Sequence, residues 1–215
     1  MEYPILYSFR RCPYAMRARM AISYSKITVE LREISLKDRP KKLYEASSKG
    51  TVPVLITENN QVIDESLHIM LWALKKNAKQ TWTNKEISNG EYKMIYINDT
   101  IFKKSLDKYK YHDRYPKKDK KFYRLECSKI LNVYEKKLAK HKYLKYDNIN
   151  IVDIAIFPFI RQFANVDYIW FEKEFKNLTV WLNTISQSNL FKSIMKKYDL
   201  WDASKNIYIN LNSET

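Results

Sequence analysis

The sequence predicts two parts, an α/β segment over residues 1–76 and an all-α segment over residues 86–215. Short apolar or alternating runs, typical of strands, occur only in the first third of the chain. Beyond residue 86 there is no convincing strand alternation until the last few residues, and long stretches favour helices. Residues 77–85 are polar and indicate a linker between the two parts.

Composition excludes several classes of protein. The only glycines are Gly50 and Gly90, so glycine-rich phosphate-binding loops are excluded. There is no apolar run of about 18 residues and no signal-peptide pattern, so we expect no membrane partner and a cytoplasmic location. Two cysteines cannot form a disulfide framework, which predicts a reducing compartment. The three histidines show no metal-ligand spacing, and we expect no metal.

The chain is strongly basic, with a formal net charge of +15 and a pI near 9.6. Such a charge invites a nucleic-acid or acidic-membrane hypothesis. Most lysines, however, fall on predicted helix faces, which favours a solvated surface. From the sequence we therefore expect nucleic acid not to be a partner.

The first elements form a strand, a helix and a strand. Residues 4–7 are an apolar strand, residues 14–25 contain good helix formers, and residues 27–34 alternate between apolar and polar side chains. This βαβ order predicts a parallel pair with a right-handed crossover. A short helix is expected from Pro40 to Ala46.

A cysteine lies where the first strand gives way to the first helix. Pro13 suits the first helical position, so Cys12 falls at the N-cap, facing unpaired N–H groups and the positive end of the helix dipole. Such a setting, with three arginines within five residues, lowers a thiol pKa and favours the thiolate. A Cys-x-x-Cys partner would stand at position 15, which is Ala15, so the predicted site is monothiol and needs an external thiol for release. The alternative is a buried, inert cysteine.

Residues 51–63 predict an antiparallel hairpin that leads into another helix. Pro53 stands at the start of a strand over residues 51–56, where it costs no ladder bond. A cis bond before Pro53 is one hypothesis, and an ordinary trans proline is the alternative. After the returning strand at residues 61–63, Asp64, Glu65 and Ser66 precede an apolar-periodic helix. Its first N–H groups can bind a carboxylate, although simple capping is the other interpretation.

The second part predicts five helices, over residues 86–109, 119–140, 151–165, 175–186 and 190–197. Asn150 and Asp153 have the spacing of a capping box at the start of the third. Pro158 lies within that helix and should bend it. The tail from Asn206 predicts either an extended edge or disorder.

These pieces together resemble a soluble glutathione transferase, whose first half has a thioredoxin-like fold. The run from Phe9 to Ala15 resembles the active site of cysteine-type, omega-like members. Residues 51–55 and 64–66 resemble the glutathione-binding motifs, and residues 150–155 resemble the family's helix cap in the second domain. The resemblance covers nearly the whole chain.

The resemblance implies the roles of the site residues. Cys12 would take the glutathione thiol, by mixed disulfide or by hydrogen bond. Val52 and Pro53 would present backbone to the cysteinyl part, and Glu65 and Ser66 would hold the γ-glutamyl end. One further cation, Arg39, stands where such members often have a lysine that meets the glycine carboxylate, and arginine keeps the charge with a different geometry.

The expected activity is glutathione-dependent thiol transfer or reduction, with glutathione as a substrate and a small disulfide or electrophile as its partner. Glutathione conjugation and a non-enzymatic interaction protein on the same fold are the alternatives. The acceptor site is expected between the halves, with Tyr96, Tyr109 and Arg161 among its candidates. Family likeness makes a homodimer plausible.

Overall fold

The computed structural model describes residues 2–77, 79, 81–83, 86–205 and 207–210. It divides into two compact units, one from residues 1–80 and 187–215 and the other from residues 81–186. The first unit contains a sheet with helices, and the second is helical. Among the described residues, no helix is both long and apolar enough to cross a bilayer.

The first unit begins with the α/β segment that the sequence predicts. Its elements are β1 (Ile5–Ser8), α1 (Pro13–Tyr24), β2 (Thr28–Glu33), α2 (Lys41–Ala46), β3 (Val54–Ile56), β4 (Val62–Ile63) and α3 (Ser66–Lys76). All of the strands and helices predicted for this segment are confirmed, with ends that shift by a few residues. The Val52–Pro53 peptide bond is cis, which confirms that hypothesis over the trans alternative.

The second unit is built from six helices among its described residues. They are α4 (Asn89–Ile97), α5 (Lys103–Lys110), α6 (Lys120–Leu138), α7 (Ile151–Ala164), α8 (Tyr168–Glu174) and α9 (Lys176–Gln187). A π-helical turn (Asn98–Phe102) joins α4 to α5, and a 3₁₀ turn (His112–Arg114) follows α5. The predicted capping box at α7 is present, and Pro158 lies inside that helix.

Two features of this unit differ from the prediction. The single helix expected over residues 86–109 is interrupted by the π turn. The sequence did not predict this interruption, because apolar periodicity cannot distinguish one wider turn from regular α-helix. No helix was expected between residues 165 and 175, where the structure has α8. Its start carries an ordinary signal, since Asp167 accepts a hydrogen bond from the backbone N–H of Trp170 at 3.2 Å.

The last part of the chain joins the first unit and not the predicted helical domain of residues 86–215. Helix α10 (Asn189–Ile194) packs against α1, and strand β5 (Tyr208–Asn210) pairs antiparallel with β2. The predicted extended edge is therefore seen at residues 208–210, while residues 206 and 211–215 lie outside the described part. Non-local pairing of this kind leaves no periodic signal in the segment itself.

The sheet has five strands in the order β4-β3-β1-β2-β5. Strand β1 is parallel to β2 and antiparallel to β3, so that Leu6 stands opposite Leu31 and Leu55 at the centre. All three leucines are buried. A separate apolar cluster contains β1, β3 and α2 side chains: Ile5, Tyr7, Ile34, Leu43, Val52 and Val54. The loop that carries Cys12 borders this cluster.

Candidate active site

Cys12 is the N-cap residue of α1, as the sequence predicts. Its backbone is extended, with φ −77° and ψ 123°, and Pro13 is the first helical residue. The carbonyl of Cys12 accepts the first helical hydrogen bond from the N–H of Met16 at 2.9 Å, while its side chain makes no capping hydrogen bond. Cys12 is partly exposed, so it is not the buried cysteine of the alternative interpretation.

The thiol of Cys12 lies beside the backbone of the residue that precedes the cis proline. Its Sγ is 3.6 Å from the carbonyl oxygen of Val52, within reach of a hydrogen bond from the thiol. Cys12 and Phe9 also pack against the apolar cluster on that side of the sheet. The sulfur thus has an apolar side and a backbone carbonyl beside it, and it keeps access to solvent.

Tyr7, the tyrosine nearest to Cys12 on β1, is engaged elsewhere. Its ring is 1% exposed, and its hydroxyl accepts a hydrogen bond from Arg32 Nη1 at 2.5 Å. Burial raises the pKa of Tyr7 above its ordinary value, against the opposing effect of Arg32. A buried, neutral phenol already held by Arg32 is a poor activator for a substrate thiol, which leaves Cys12 as the candidate reactive group.

Ser66 begins α3, and a buried arginine holds its side chain. Arg17 of α1 is 2% exposed and donates to Ser66 Oγ from Nε at 3.1 Å and from Nη2 at 2.9 Å. A serine hydroxyl has two acceptor positions and one donor. Because Arg17 occupies the acceptors, the hydroxyl proton of Ser66 remains for an anionic ligand. The sequence placed Arg17 among charges near the thiol and missed this pairing across 49 residues.

The carboxylates just before α3 share one lysine. Lys49 Nζ lies 2.6 Å from Glu65 Oε1 and 3.2 Å from Asp64 Oδ1. Asp64 also accepts from Ser47 Oγ at 2.7 Å, and that hydrogen bond is the main cause that lowers its pKa. Glu65 is the N-cap residue of α3 but makes no side-chain cap, and its side chain is 59% exposed. The sequence did not identify Lys49, which precedes the turn at Gly50.

The remaining predicted glutathione residue from a loop, Arg39, is fully on the surface. It lies just before Pro40, the N-cap residue of α2, and its side chain is exposed. Within the described part of the chain it makes no ion pair or hydrogen bond. Its guanidinium is therefore available, but nothing in the first unit fixes its direction.

The three acceptor candidates all lie in the second unit and differ in exposure. Tyr96 on α4 is 56% exposed. Tyr109 on α5 is 2% exposed, with its ring centroid 5.1 Å from that of Phe163, and burial raises its pKa. Arg161 on α7 is half-buried, which lowers its pKa. Tyr109 therefore packs in the aromatic core of this unit, and of the three candidates Tyr96 and Arg161 are the more accessible.

A cavity of about 340 Å³ lies beside the loop that precedes Cys12, within the first unit. Its wall combines the loop, the end of β2 and the segment after α10: Phe9, Arg10, Arg11, Glu33, Ile34, Ser35, Lys197, Tyr198, Asp199 and Leu200. Glu33 accepts from the backbone N–H of Arg10 at 2.5 Å and pairs with buried Arg19 at 3.3 Å. The sequence did not indicate this cavity, because residues 197–200 were expected in the helical domain.

Among the described residues, no group of three or more potential metal ligands occurs. The groups at the site are a thiol, hydroxyls, carboxylates and backbone. Two helix N-termini contribute to it, one at Cys12 and one at Glu65. This arrangement suits an anionic, peptide-like ligand with a reactive sulfur.

Comparisons with known proteins agree with that arrangement. Residues 6–82 match the glutathione S-transferase N-terminal domain, and residues 94–189 match the glutathione S-transferase C-terminal domain. A probable glutathione S-transferase, MSR-1, from Nicotiana plumbaginifolia is 25% identical over 211 residues, which cover 92% of each chain. Glutathione S-transferase omega-2 from Rattus norvegicus is 39% identical, but over only 62 residues, which cover 29% of this chain and 25% of that protein.

The solved structures show the same fold. The glutathione transferase URE2P8 from Phanerochaete chrysosporium, solved with oxidized glutathione, matches with a TM-score of 0.77 at 15% identity. The match covers 89% of this chain and 92% of that protein's chain. The chain belongs to the glutathione transferase family. It is a glutathione transferase-like enzyme with a thioredoxin-like first domain.

Proposed function

We propose that this enzyme is a glutathione-dependent thiol transferase of the cysteine type, in which Cys12 forms a mixed disulfide with glutathione. The observation that carries the proposal is the partly exposed thiol at the start of α1. The only other cysteine, Cys127, lies in the second unit and is 0% exposed, and burial raises its pKa. A resolving thiol must therefore come from a second glutathione.

The groups around Cys12 are suited to the three parts of glutathione. Val52 offers its backbone to the cysteinyl residue beside Cys12 Sγ, with Pro53 fixing the start of β3. Ser66 and the first N–H groups of α3 take the γ-glutamyl carboxylate, and Glu65 takes its ammonium group. Arg39 takes the glycine carboxylate.

The reaction proceeds by two thiol–disulfide exchanges. The Cys12 thiolate attacks the glutathionyl sulfur of a mixed disulfide, a Cys12–glutathione bond forms, and the acceptor leaves as a thiolate that takes up a proton. The thiolate of a second glutathione then attacks the glutathionyl sulfur on Cys12. This step releases glutathione disulfide and restores the Cys12 thiolate. In the net reaction the acceptor thiol is set free, and one glutathione thiol joins the glutathionyl unit of the mixed disulfide in glutathione disulfide.

Glutathione conjugation is the second candidate, and two observations favour it. The match that spans 92% of the chain is to a probable glutathione S-transferase outside the omega type, whereas the omega-type match is confined to 62 residues. In addition, the Cys12 thiol acts as a donor to the Val52 carbonyl in the structure, and the same proton could stabilise a bound glutathione thiolate. In this reaction the sulfur of glutathione attacks a small electrophile, and Cys12 forms no covalent bond.

The two reactions are separated by Cys12→Ser, with Cys127→Ser as the matched control. If Cys12 is the nucleophile, reduction of a small glutathionyl disulfide falls by at least about 100-fold in Cys12→Ser and is unchanged in Cys127→Ser. The wild-type protein, incubated with the disulfide, should also gain the mass of one glutathionyl group at Cys12. Reduction that survives in Cys12→Ser would refute the mixed disulfide, and unchanged conjugation of 1-chloro-2,4-dinitrobenzene by this variant would support the second candidate.

We further propose a cytoplasmic setting and a homodimer. A partly exposed nucleophilic thiol works only while it is reduced, and neither Cys12 nor Cys127 is in a disulfide in the structure. The dimer rests on family likeness alone. Sedimentation equilibrium of the full chain would give the oligomeric state directly.

A further inference from the structure

The positive charge of the second unit is concentrated in one stretch of chain. Residues 103–145 contain sixteen lysines and arginines against five acidic residues, a formal charge of +11. The rest of this unit, residues 81–102 and 146–186, contains five basic and eight acidic residues, a charge of −3. A general compositional drift toward lysine would not give the two parts opposite signs. The charge therefore marks a particular surface.

The densest part of this stretch connects α5 to α6. Residues 108–124, here named the basic tip, carry eight basic and two acidic side chains within 17 residues. Arg124 pairs with Asp167 at 3.4 Å. Among the described residues, the other cations of the basic tip have no carboxylate within 4.0 Å, and all of them are exposed: Lys108, Lys110, Arg114, Lys117, Lys118, Lys120 and Lys121.

The loop within the basic tip is held by its own hydrogen bonds. The His112 ring nitrogen Nε2 lies 2.9 Å from the carbonyl oxygen of Lys118, which ties the two sides of the loop together. The N–H of Tyr115 donates to the carbonyl of His112 at 2.7 Å. Asp119 accepts from the N–H of Phe122 at 2.6 Å and so caps α6. The cations are therefore presented on an ordered turn.

Aromatic rings are exposed among these cations. Tyr111, Tyr115 and Phe122 are 38%, 40% and 42% exposed. The guanidinium carbon of Arg114 lies 5.1 Å from the centre of the Tyr111 ring, and Lys118 Nζ lies 5.6 Å from that of Phe122. Exposed rings with cations beside them combine a surface for stacking with charges for phosphates, which is the combination that binds single-stranded nucleic acids.

We propose that the basic tip binds single-stranded nucleic acid, with its lysines and Arg114 on the phosphates and its exposed rings stacked on bases. A duplex would keep its bases stacked on one another and out of reach of the rings. This activity is separate from the glutathione site, all of whose proposed groups lie in the first unit. It replaces the sequence-based expectation that nucleic acid is not a partner, because the exposure of these cations and rings on one ordered turn is seen only in the structure.

The charge component is tested by fluorescence anisotropy of a labelled 20-nucleotide oligothymidine with the full-length protein. We expect the affinity to fall as salt rises, with a slope of about 0.7 per phosphate contacted. The triple variant Lys117→Gln, Lys118→Gln, Lys121→Gln should bind at least about 10-fold more weakly and with a shallower salt slope. A matched control removes three exposed lysines elsewhere, Lys75→Gln, Lys173→Gln and Lys192→Gln, and should change the affinity less than about twofold. Equal losses in the two variants would overturn the proposal.

The stacking component is tested by comparing oligothymidine with an abasic phosphodiester strand of the same length. The double variant Tyr111→Leu, Phe122→Leu should lose at least about fivefold in affinity for oligothymidine and almost nothing for the abasic strand. Wild-type protein that binds both strands equally would show a bare polyanion site and overturn the proposal. So would stronger binding to phosphatidylserine vesicles than to oligothymidine. An unchanged thermal unfolding midpoint in each variant confirms that the variant is folded.

Discussion

The helices at the candidate active site begin differently from a helix that holds the fold together. Helices α1 and α3 begin at Cys12 and Glu65, neither of which makes a side-chain capping hydrogen bond. Helix α7 begins inside a closed capping box, where Asn150 Oδ1 accepts from the N–H of Val152 at 2.8 Å and Asp153 accepts from the N–H of Asn150 at 3.0 Å. Free N–H groups at a helix start can bind a ligand, whereas satisfied ones contribute to stability.

The α7 cap also connects distant parts of the second unit. The same carboxylate of Asp153 accepts from the N–H of Leu144 and from Trp181 Nε1, each at 2.9 Å. Asp153 is 0% exposed, and burial raises its pKa to about 6 despite these donors. Four other helices, α4, α6, α8 and α10, have a single-residue side-chain cap or a box: Ser88, Asp119, Asp167 and Ser188. Helices α1 and α3 lack such a cap, as do α2 and α5, and of these four α1 and α3 carry the proposed ligand groups.

The largest predicted effect is a pH dependence of the unfolding free energy that comes from Asp153 in the α7 capping box. Because the folded state keeps the Asp153 proton to about pH 6 and the unfolded state loses it near pH 4, stability should fall across this interval by up to about 3 kcal/mol. The stability is complete below the unfolded pKa and is lost as pH rises through the folded one. Asp153→Asn cannot ionise, so its unfolding free energy should lack this fall.

Urea denaturation of both proteins between pH 4 and pH 7 gives the measurement, because other titrating groups cancel in the difference. A difference in unfolding free energy that stays constant with pH would contradict the prediction. The KM for glutathione should be equal in the two proteins. A changed KM would instead mean that the α7 cap supports the ligand site.

The next effect concerns the buried arginine below α3. Arg17→Met removes both donors to Ser66 and a positive charge near the proposed carboxylate, while it keeps the apolar volume of the side chain. We expect the KM for glutathione to rise about 10- to 30-fold, with little change in kcat at saturation, because the interaction acts on binding and not on the thiol. Arg17→Lys keeps the charge without the paired donors and should have a smaller effect. Equal KM values in all three proteins would exclude Ser66 as a ligand group.

Local patterns in the sequence were sufficient for much of the fold and for part of the site. Cys12 at an N-cap and the Asn150–Asp153 box each depend on residues within a few positions of one another, whereas the sequence left the cis bond before Pro53 as one of two alternatives. Such features follow from local backbone chemistry. The capping residue of the missed helix α8, Asp167, was also present, but the aromatic residues after it gave no clear period.

What the sequence could not predict depends on contacts between distant residues. Arg17 and Ser66 lie 49 positions apart, and Lys49 meets Glu65 only because β3 and β4 fold between them. The assignment of residues 187–215 to the first unit likewise follows from β5 pairing with β2. Neither helical nor strand periodicity carries information on which elements meet, so these partners appear only in the structure.

The smallest predicted effect tests whether Glu65 binds the ammonium group of glutathione or only pairs with Lys49. In the structure Glu65 is already paired with Lys49, and an exposed ion pair of this kind contributes little free energy. Glu65→Gln should therefore raise the KM for glutathione only about two- to fivefold. The comparison that decides is the same substitution in a Lys49→Met background. If Glu65 binds the ammonium group of glutathione, its loss there should be as large or larger, because no lysine competes for the carboxylate. If Glu65→Gln has no effect once Lys49 is gone, Glu65 acts on the ligand only through that lysine, and the uncapped start of α3 binds the γ-glutamyl group by its carboxylate alone.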